Sequence, residues 1–248
     1  MDKSKFILKE IKTLSNPKKA EILARFFKTG KGQYGEGDKF LGITVPESRK
    51  IAHKHSNLNF IEIEKLLKNK YHEVRLVALL ILIQKYKTSP RSDLGERKKI
   101  VKFYLKNTKY INNWDLVDLS AHYILGDYLY NNKISHKSDL WLGDKILIKF
   151  TKSKNLWERR IAIISTFAFI YKGESDWTFK IVRMLLNDQE DLIHKACGWM
   201  LREVGKRVSV LKLKTFLDSY GSKMPRTMLR YAIEKLPEKE RLHYLQKK

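Results

Sequence analysis

Apolar residues recur at three- and four-residue spacing along most of the chain, the period of amphipathic α-helices. Asn16-Pro17 and Thr44-Val-Pro46 each place a capping residue before proline, which is typical of a helix N-terminus. They predict one helix that runs to Phe27 and another that begins near Pro46. No hairpin signal interrupts this pattern. Further helices are predicted over 58–69, 71–87, 94–107, 113–130, 137–151, 156–172, 176–187, 190–206, 209–219, 225–236 and 238–246.

Four of these helices carry a basic residue in the same register. Arg75, Arg160, Lys195 and Arg230 follow one another at steps of 85, 35 and 35 residues. The long first step is about two repeats, and Asp118 falls at its middle, 43 residues after Arg75 and 42 before Arg160. Steps of about 35 to 45 residues are typical of paired-helix repeats of the HEAT type. Since stacked repeats place equivalent positions side by side, we predict an all-α solenoid with a basic concave wall.

The charge balance indicates a polyanionic partner. Lys and Arg number 51 against 27 Asp and Glu, a formal net charge of +24. Such self-repulsion disfavours a compact state, and nucleic acid is the usual partner that offsets it because phosphate neutralisation releases counterions. The alternative is a surface of solvated lysines with no partner.

Several other classes of protein are disfavoured. No apolar run is long enough for a membrane span, and the N-terminus lacks a secretory signal. The single cysteine, Cys197, excludes an internal disulfide framework and fits a reducing cytoplasm. We also expect a monomer. The histidines, His72 included, are not accompanied in the sequence by other metal-ligating residues at the spacing of a zinc site, so zinc is not expected. The Gly-rich segment 30–38 lacks the phosphate-loop pattern and is interpreted as a flexible connection.

The pair Trp114 and Asp118 is the first candidate for chemistry. Four residues apart, they share one helix face, and Asn112 or Asn113 is a plausible N-cap. The helix dipole and nearby cations favour an ionised Asp118. A carboxylate beside an indole suits the stabilisation of a cation, such as a charged base or an oxocarbenium-like sugar. The alternative is a structural salt bridge between Asp118 and Arg160 or Arg75.

A second candidate lies at Trp199 and Arg202. An indole can pack on sugars or bases, and an arginine three residues later can bind phosphate. The alternative is that Trp199 belongs to the core, as large aromatic residues at helical spacing usually do.

With these residues in place, the chain resembles the AlkD family of DNA alkylation repair glycosylases. The order and spacing of the matching motifs are more specific than any single motif. The motifs are Phe40-Leu-Gly-Ile-Thr-Val-Pro46, Trp114-Asp-Leu-Val-Asp118, Leu125-Gly-Asp127, Leu156-Trp-Glu-Arg-Arg160 and Lys195-Ala-Cys-Gly-Trp-Met-Leu-Arg-Glu203.

The resemblance implies a right-handed α-solenoid of HEAT-like repeats, one domain over residues 1–248 with about six to seven helix pairs. Duplex DNA would lie in its concave basic groove. Family members excise cationic N3- and N7-alkylated purines, such as 3-methyladenine and 7-methylguanine, by hydrolysing the N-glycosidic bond. They need no metal or nucleotide cofactor, and the damaged base is thought to stay in the stack.

The resemblance also implies roles for individual residues. Asp118 would stabilise the developing sugar cation, Trp114 and Trp199 would pack against the deoxyribose, and Arg160 would lie in the catalytic cleft. DNA contacts are predicted for Tyr34, Arg159, Lys195 and Arg202.

The chain departs from the family at Asp191-Leu192, where some members carry an aromatic pair. Some relatives with this fold lack glycosylase activity and bind unusual DNA. The alternative function is therefore a non-catalytic protein that recognises branched or distorted DNA. A protein-interaction scaffold is a third class, which the net charge disfavours.

Overall fold

Helices form all the regular structure in the computed structural model. It describes residues 2–90, 92–132 and 140–246, and within these ranges the one extended pairing is a parallel bridge between Lys39 and Tyr71. The prediction of an all-α fold is confirmed. Contacts divide the chain into two compact units, Met1–Ser120 and Ala121–Lys248. The single domain over 1–248 stays a prediction.

The first unit begins with a helix that the sequence pattern did not predict. Helix α1 starts after Asp2, whose side chain accepts a hydrogen bond from the Lys5 amide, and it buries Ile7 and Ile11 against the unit. The unit's helices are α1 (Lys3–Thr13), α2 (Pro17–Phe26), α3 (Val45–Lys54), α4 (Phe60–Leu67), α5 (His72–Thr88), α6 (Leu94–Lys106) and α7 (Trp114–Ala121).

Local capping chemistry sets two of these helix starts as predicted. The Asn16 side chain accepts a hydrogen bond from the Lys19 amide at the start of α2. Thr44 and Glu47 form a reciprocal capping box at the start of α3. Both caps satisfy amides that have no partner within the helix.

Helix α5 forms the centre of the first unit. Every residue from His72 to Ile83 is buried, including its polar first turn. A helix that is apolar all round belongs in the interior. Helices α3 and α4 both pack against α5, and α1 packs against α4. The interior of this unit therefore contains the charged residues at the start of α5.

A π-helical turn lies at the start of the second unit. The predicted helix over 113–130 is instead α7, a π-helical turn at His122–Gly126 and then α8. The predicted helix over 156–172 divides at Thr166. Residues 137–139 of the predicted helix over 137–151 lie outside the described residues. The helices are α8 (Asp127–Asn132), α9 (Leu140–Thr151), α10 (Leu156–Ser165), α11 (Phe167–Ile170), α12 (Asp176–Met184), α13 (Asp191–Arg207), α14 (Val210–Tyr220), α15 (Arg226–Ile233) and α16 (Glu238–Gln246).

Helix α13 forms the centre of the second unit and packs closely against α15. A Cβ built on Gly198 would lie 2.4 Å from the Met228 carbonyl oxygen and 2.5 Å from Cβ of Tyr231. Only glycine allows this approach. Cys197 beside it is buried, and burial raises the pKa of its thiol. This position is typical of a structural thiol.

Across the described ranges, no helix has both the length and the apolar character that crossing a lipid bilayer requires.

Candidate functional site

The first turn of α7 is fixed by Asn113. The Asn113 side-chain oxygen accepts a hydrogen bond from the Trp114 amide at 2.8 Å, and its carbonyl accepts one from Val117. Its amide nitrogen donates to Oδ2 of Asp38 at 3.1 Å. Of the two predicted caps, Asn113 thus begins the helix and ties it to the Gly-rich segment.

The structure brings two of the predicted residues together in the first unit. The indole nitrogen of Trp114 donates a hydrogen bond to the Tyr34 hydroxyl at 3.1 Å. The indole also stacks on Phe27, with centroids 5.2 Å apart, and meets the edge of Phe26. Trp114 stays half-buried, so part of its surface remains accessible. Its orientation is therefore set on one side by packing and at its polar end by Tyr34.

The segment that carries Tyr34 consists of hydrogen-bonded turns. The Gly35 amide donates to the Lys28 carbonyl at 3.2 Å, and the Gly32 amide donates to Glu36 at 2.8 Å. A Cβ on Gly35 would lie 2.3 Å from the Phe27 carbonyl oxygen. This close packing holds Tyr34 next to the end of α2.

Asp118 lies half-buried on α7, one turn after Trp114. The negative charge of Asp118 acts on the buried Tyr104, whose hydroxyl lies 3.0 Å from Oγ of Ser120. Burial first, and then the negative charge of Asp118, raise the pKa of Tyr104. Tyr104 therefore stays protonated at neutral pH.

The first turns of α5 and α7 meet in a buried ionic network that the sequence analysis missed. His72 is 2% exposed; its Nδ1 lies 3.2 Å from Oδ2 of Asp38 and its Nε2 lies 2.7 Å from Oδ2 of Asp115. Arg75 donates to the other oxygen of Asp38 and to the Asn69 carbonyl. The members come from segments far apart in the chain, so spacing could not reveal them.

The network holds its histidine as a cation. Burial by itself would lower the pKa of His72, but the hydrogen bonds to Asp115 and Asp38 outweigh it and raise the pKa from 6.5 to about 9. Burial likewise opposes ionisation of Asp38, yet the hydrogen bond from His72 and the charge of Arg75 lower the pKa of this carboxyl. At neutral pH the network thus contains paired charges of both signs.

Arg75 is held within this network. Asp38, together with the Asn69 carbonyl, binds the guanidinium of Arg75. Arg75 is 4% exposed. The salt bridge of Asp118 with Arg160 or Arg75 stays an alternative prediction. The prediction that Arg75 lines a basic wall is wrong, because its charge is buried.

Glu73, which follows His72 on α5, holds the motif that begins at Phe40. The Glu73 carboxylate accepts hydrogen bonds from the amides of Leu41, Gly42 and Ile43 at 2.8–3.2 Å. Gly42 has a φ of +81°, and its Cβ would lie 2.1 Å from the Asn16 carbonyl oxygen. The matching glycine is therefore required by backbone conformation and packing.

An apolar cavity of about 260 Å³ lies beside this network in the first unit. Phe26, Phe27 and Phe40 contribute its aromatic wall, and His72 and Asp115 also border it. The hydrogen bond between these last two residues occupies their facing atoms. The cavity therefore offers mainly apolar contact.

In the second unit, Trp199 lies half-buried on α13 and packs near Phe167, with ring centroids 5.8 Å apart. It is neither fully exposed nor part of the closed core. Lys195, one turn earlier, forms an ion pair with Asp191 at 2.7 Å. Arg202 pairs with Glu234 and lies 3.9 Å from Glu203.

The two arginines of α10 are anchored within the second unit. Arg160 is 5% exposed, and its guanidinium donates to the Leu192 carbonyl at 2.5 Å. Arg159 donates to both oxygens of Asp188 and to the carbonyls of Ser153 and Lys154. These contacts fix both side chains, and the DNA contact predicted for Arg159 stays a prediction.

Comparisons with known proteins bear on the fold and the family. No curated protein sequence matches the chain. Among solved structures, the chain is similar to a predicted DNA alkylation repair enzyme from Enterococcus faecalis, with a TM-score of 0.68 and 19% identity over 90% of this chain and 97% of that one. The family model for DNA alkylation repair enzymes matches residues 7–236. The chain therefore belongs to the DNA alkylation repair enzyme family, in accord with its resemblance to the AlkD-like proteins.

Proposed function

We propose that this protein is a DNA glycosylase that removes cationic N3- and N7-alkylated purines from duplex DNA. The observation that carries the proposal is the half-buried carboxylate of Asp118 one turn after Trp114. An indole face and a carboxylate on one side of a helix are suited to a positively charged sugar. The family membership and the net charge of +24 support DNA as the partner.

In the proposed reaction, water adds to C1′ of the deoxyribose as the bond from C1′ to the purine nitrogen breaks. The bonding electrons pass to the purine, whose alkylation charge they neutralise. The proton lost by water goes to solvent. Asp118 stabilises the positive charge that develops on the sugar, as carboxylates do in glycoside hydrolysis. The products are a neutral alkylpurine and an abasic site.

The remaining residues would bind and orient the substrate. Trp114, held by Tyr34 and Phe27, offers an oriented surface for the deoxyribose. Trp199 offers a second such surface on α13. Lys195 and Arg202 supply exchangeable ion pairs that a phosphate can replace, whereas a cleft role for the buried Arg160 rests on the family resemblance alone. We propose that the protein acts as a monomer.

A base-release assay tests this proposal. Duplex DNA alkylated with a methylating agent is incubated with the protein, and free 3-methyladenine and 7-methylguanine are separated and quantified. The proposal expects release that is proportional to enzyme and abolished by boiling. Salt-sensitive DNA binding with no release at micromolar protein would contradict it and favour the non-catalytic alternative, a protein for branched or distorted DNA.

A further inference from the structure

The C-terminal end of α13 carries an arginine that lies against two aromatic rings of the second unit. The guanidinium carbon of Arg207 lies 4.5 Å from the ring centroid of Tyr171 and 5.6 Å from that of Phe167. The two rings are themselves 4.6 Å apart. Phe167 also faces Trp199 at 5.8 Å. Arg207 and Tyr171 therefore extend the aromatic cluster that begins at Trp199.

A buried acid fixes the orientation of Arg207. Its Nε donates to Oε2 of Glu203 at 2.6 Å, one helical turn earlier, and Glu203 is 6% exposed. Packing on the rings restrains the guanidinium plane. An arginine held in this way loses little conformational entropy when it binds a ligand.

The two terminal nitrogens of Arg207 make no hydrogen bond within the described part of the chain. The Tyr171 hydroxyl likewise has no hydrogen-bond partner there, and Tyr171 is 56% exposed. The terminal nitrogens of Arg159 differ, because they already bind Asp188 and backbone carbonyls. Arg207 thus combines a fixed position with unused donors.

We propose that Arg207 and Tyr171 form a phosphate-binding site that holds the DNA backbone beside Trp199. The two terminal nitrogens of a guanidinium match two oxygens of one phosphodiester. The tyrosine hydroxyl can donate to the same phosphate or to its neighbour. Glu203 lies on the Nε side of the Arg207 guanidinium and leaves the two terminal nitrogens for the anion. The site rests on the proposed DNA partner but does not depend on the glycosylase chemistry.

Fluorescence anisotropy with an undamaged labelled duplex tests the site across a salt series. Arg207→Ala should weaken binding roughly five- to tenfold and lower the slope of log Kd against log salt by about one. Arg207→Lys should lose most of that affinity, because an ammonium on a flexible chain lacks the fork. Tyr171→Phe, which keeps the ring, should cost roughly twofold.

Lys206→Ala is the matched control. Lys206 is the neighbouring exposed cation on α13, and its side chain makes no hydrogen bond, ion pair or ring contact with the described residues. Its loss removes the same charge without the ring packing, so we expect a change below about twofold. Thermal melts of all four variants identify any that are unfolded, and Arg207→Lys and Tyr171→Phe are conservative enough to keep the test valid.

The outcomes separate this site from the proposed function. Equal losses of DNA affinity for Arg207→Ala and Lys206→Ala would overturn the proposed site, even if base release proceeds. Wild-type affinity of Arg207→Lys would overturn it as well. A wild-type protein that does not bind duplex DNA would overturn it too. Binding that depends on Arg207 in a protein that releases no alkylpurine would support the site and refute the glycosylase.

Discussion

Nε2 of His72 lies 2.7 Å from Oδ2 of Asp115, although 43 residues separate them in the chain. This contact joins the buried first turn of α5 to the first turn of α7. Trp114 is the residue before Asp115, and Asp118 follows on the same helix. The position of the candidate catalytic helix in the first unit therefore depends on an ion pair between the buried His72 and the partly exposed Asp115.

We expect this ion pair to make stability depend on pH between 6.5 and about 9. The folded-state pKa of His72 is raised by Asp115 and Asp38 against the burial cost, whereas an unfolded histidine titrates near 6.5. A raised pKa contributes stability fully below pH 6.5, and the contribution is lost as pH rises through about 9. By linkage the loss is on the order of 3 kcal/mol. The other charges that face His72 are those of Asp38 and Arg75.

Urea denaturation followed by circular dichroism at pH 6, 7.5 and 9.5 measures this effect. His72→Gln should be much less stable than wild type at pH 6, and the gap in the free energy of unfolding should narrow toward pH 9.5. His243→Gln is the control because His243 is exposed on α16. A gap that does not change with pH would contradict a protonated His72.

Local chemistry explains how much of the fold could be predicted. The caps at Asn16 and Thr44 are sequence patterns whose partners lie three residues away, so they predicted the starts of α2 and α3. Helix α1 was missed because its apolar face is short. Its first turn is held by a distant contact, the hydrogen bond from the Ser4 amide to the Glu62 carboxylate. Helical periodicity could not locate the π-helical turn at His122–Gly126 either.

The candidate site was predicted as residues but not as a network. Trp114 and Asp118 could be paired because helical spacing places them on one face. His72 was judged isolated because Asp38 and Asp115 lie 34 and 43 residues away. For the same reason, Arg75 was expected to line a basic wall, although it is buried together with its partner Asp38. Periodicity shows which face a residue occupies, but it does not show which distant group neutralises it.

The hydrogen bond from Trp114 to Tyr34 should assist catalysis by orienting the indole. Tyr34→Phe removes the acceptor and keeps the ring. A neutral hydrogen bond is worth about 1 kcal/mol, so we expect single-turnover base release to slow about fivefold with little change in the melting temperature. Tyr220→Phe serves as the control because its hydroxyl makes no hydrogen bond with the described residues. Unchanged release by Tyr34→Phe would show that packing on Phe27 suffices.

Close packing at Gly198 should make this position intolerant of any side chain. Gly198→Ala places a methyl group 2.4 Å from the Met228 carbonyl, so α13 and α15 must separate. Overpacking of this kind costs roughly 1–3 kcal/mol. Gly95→Ala on α6 is the matched control, because its added Cβ meets only the Asp93 carboxylate at 3.4 Å. We expect thermal melts to show a lower midpoint for Gly198→Ala and an equal or higher one for Gly95→Ala.

Asp118→Asn should separate catalysis from DNA binding. The amide has nearly the same shape as the carboxylate but cannot stabilise a sugar cation, so we expect base release to slow on the order of 100-fold or more. Removal of a negative charge near the phosphate backbone should leave affinity for undamaged duplex unchanged or raise it. A purely structural carboxylate would instead cost stability and affinity together.

Asp176→Asn provides the matched control for Asp118→Asn, because Asp176 is an exposed acid in the first turn of α12. It removes the same charge from the protein and should change neither release nor binding. Release is followed under single-turnover conditions and affinity by anisotropy, with thermal melts to verify folding. Wild-type release by a folded Asp118→Asn protein would assign the charge stabilisation to another group. It would leave the proposed glycosylase activity itself standing.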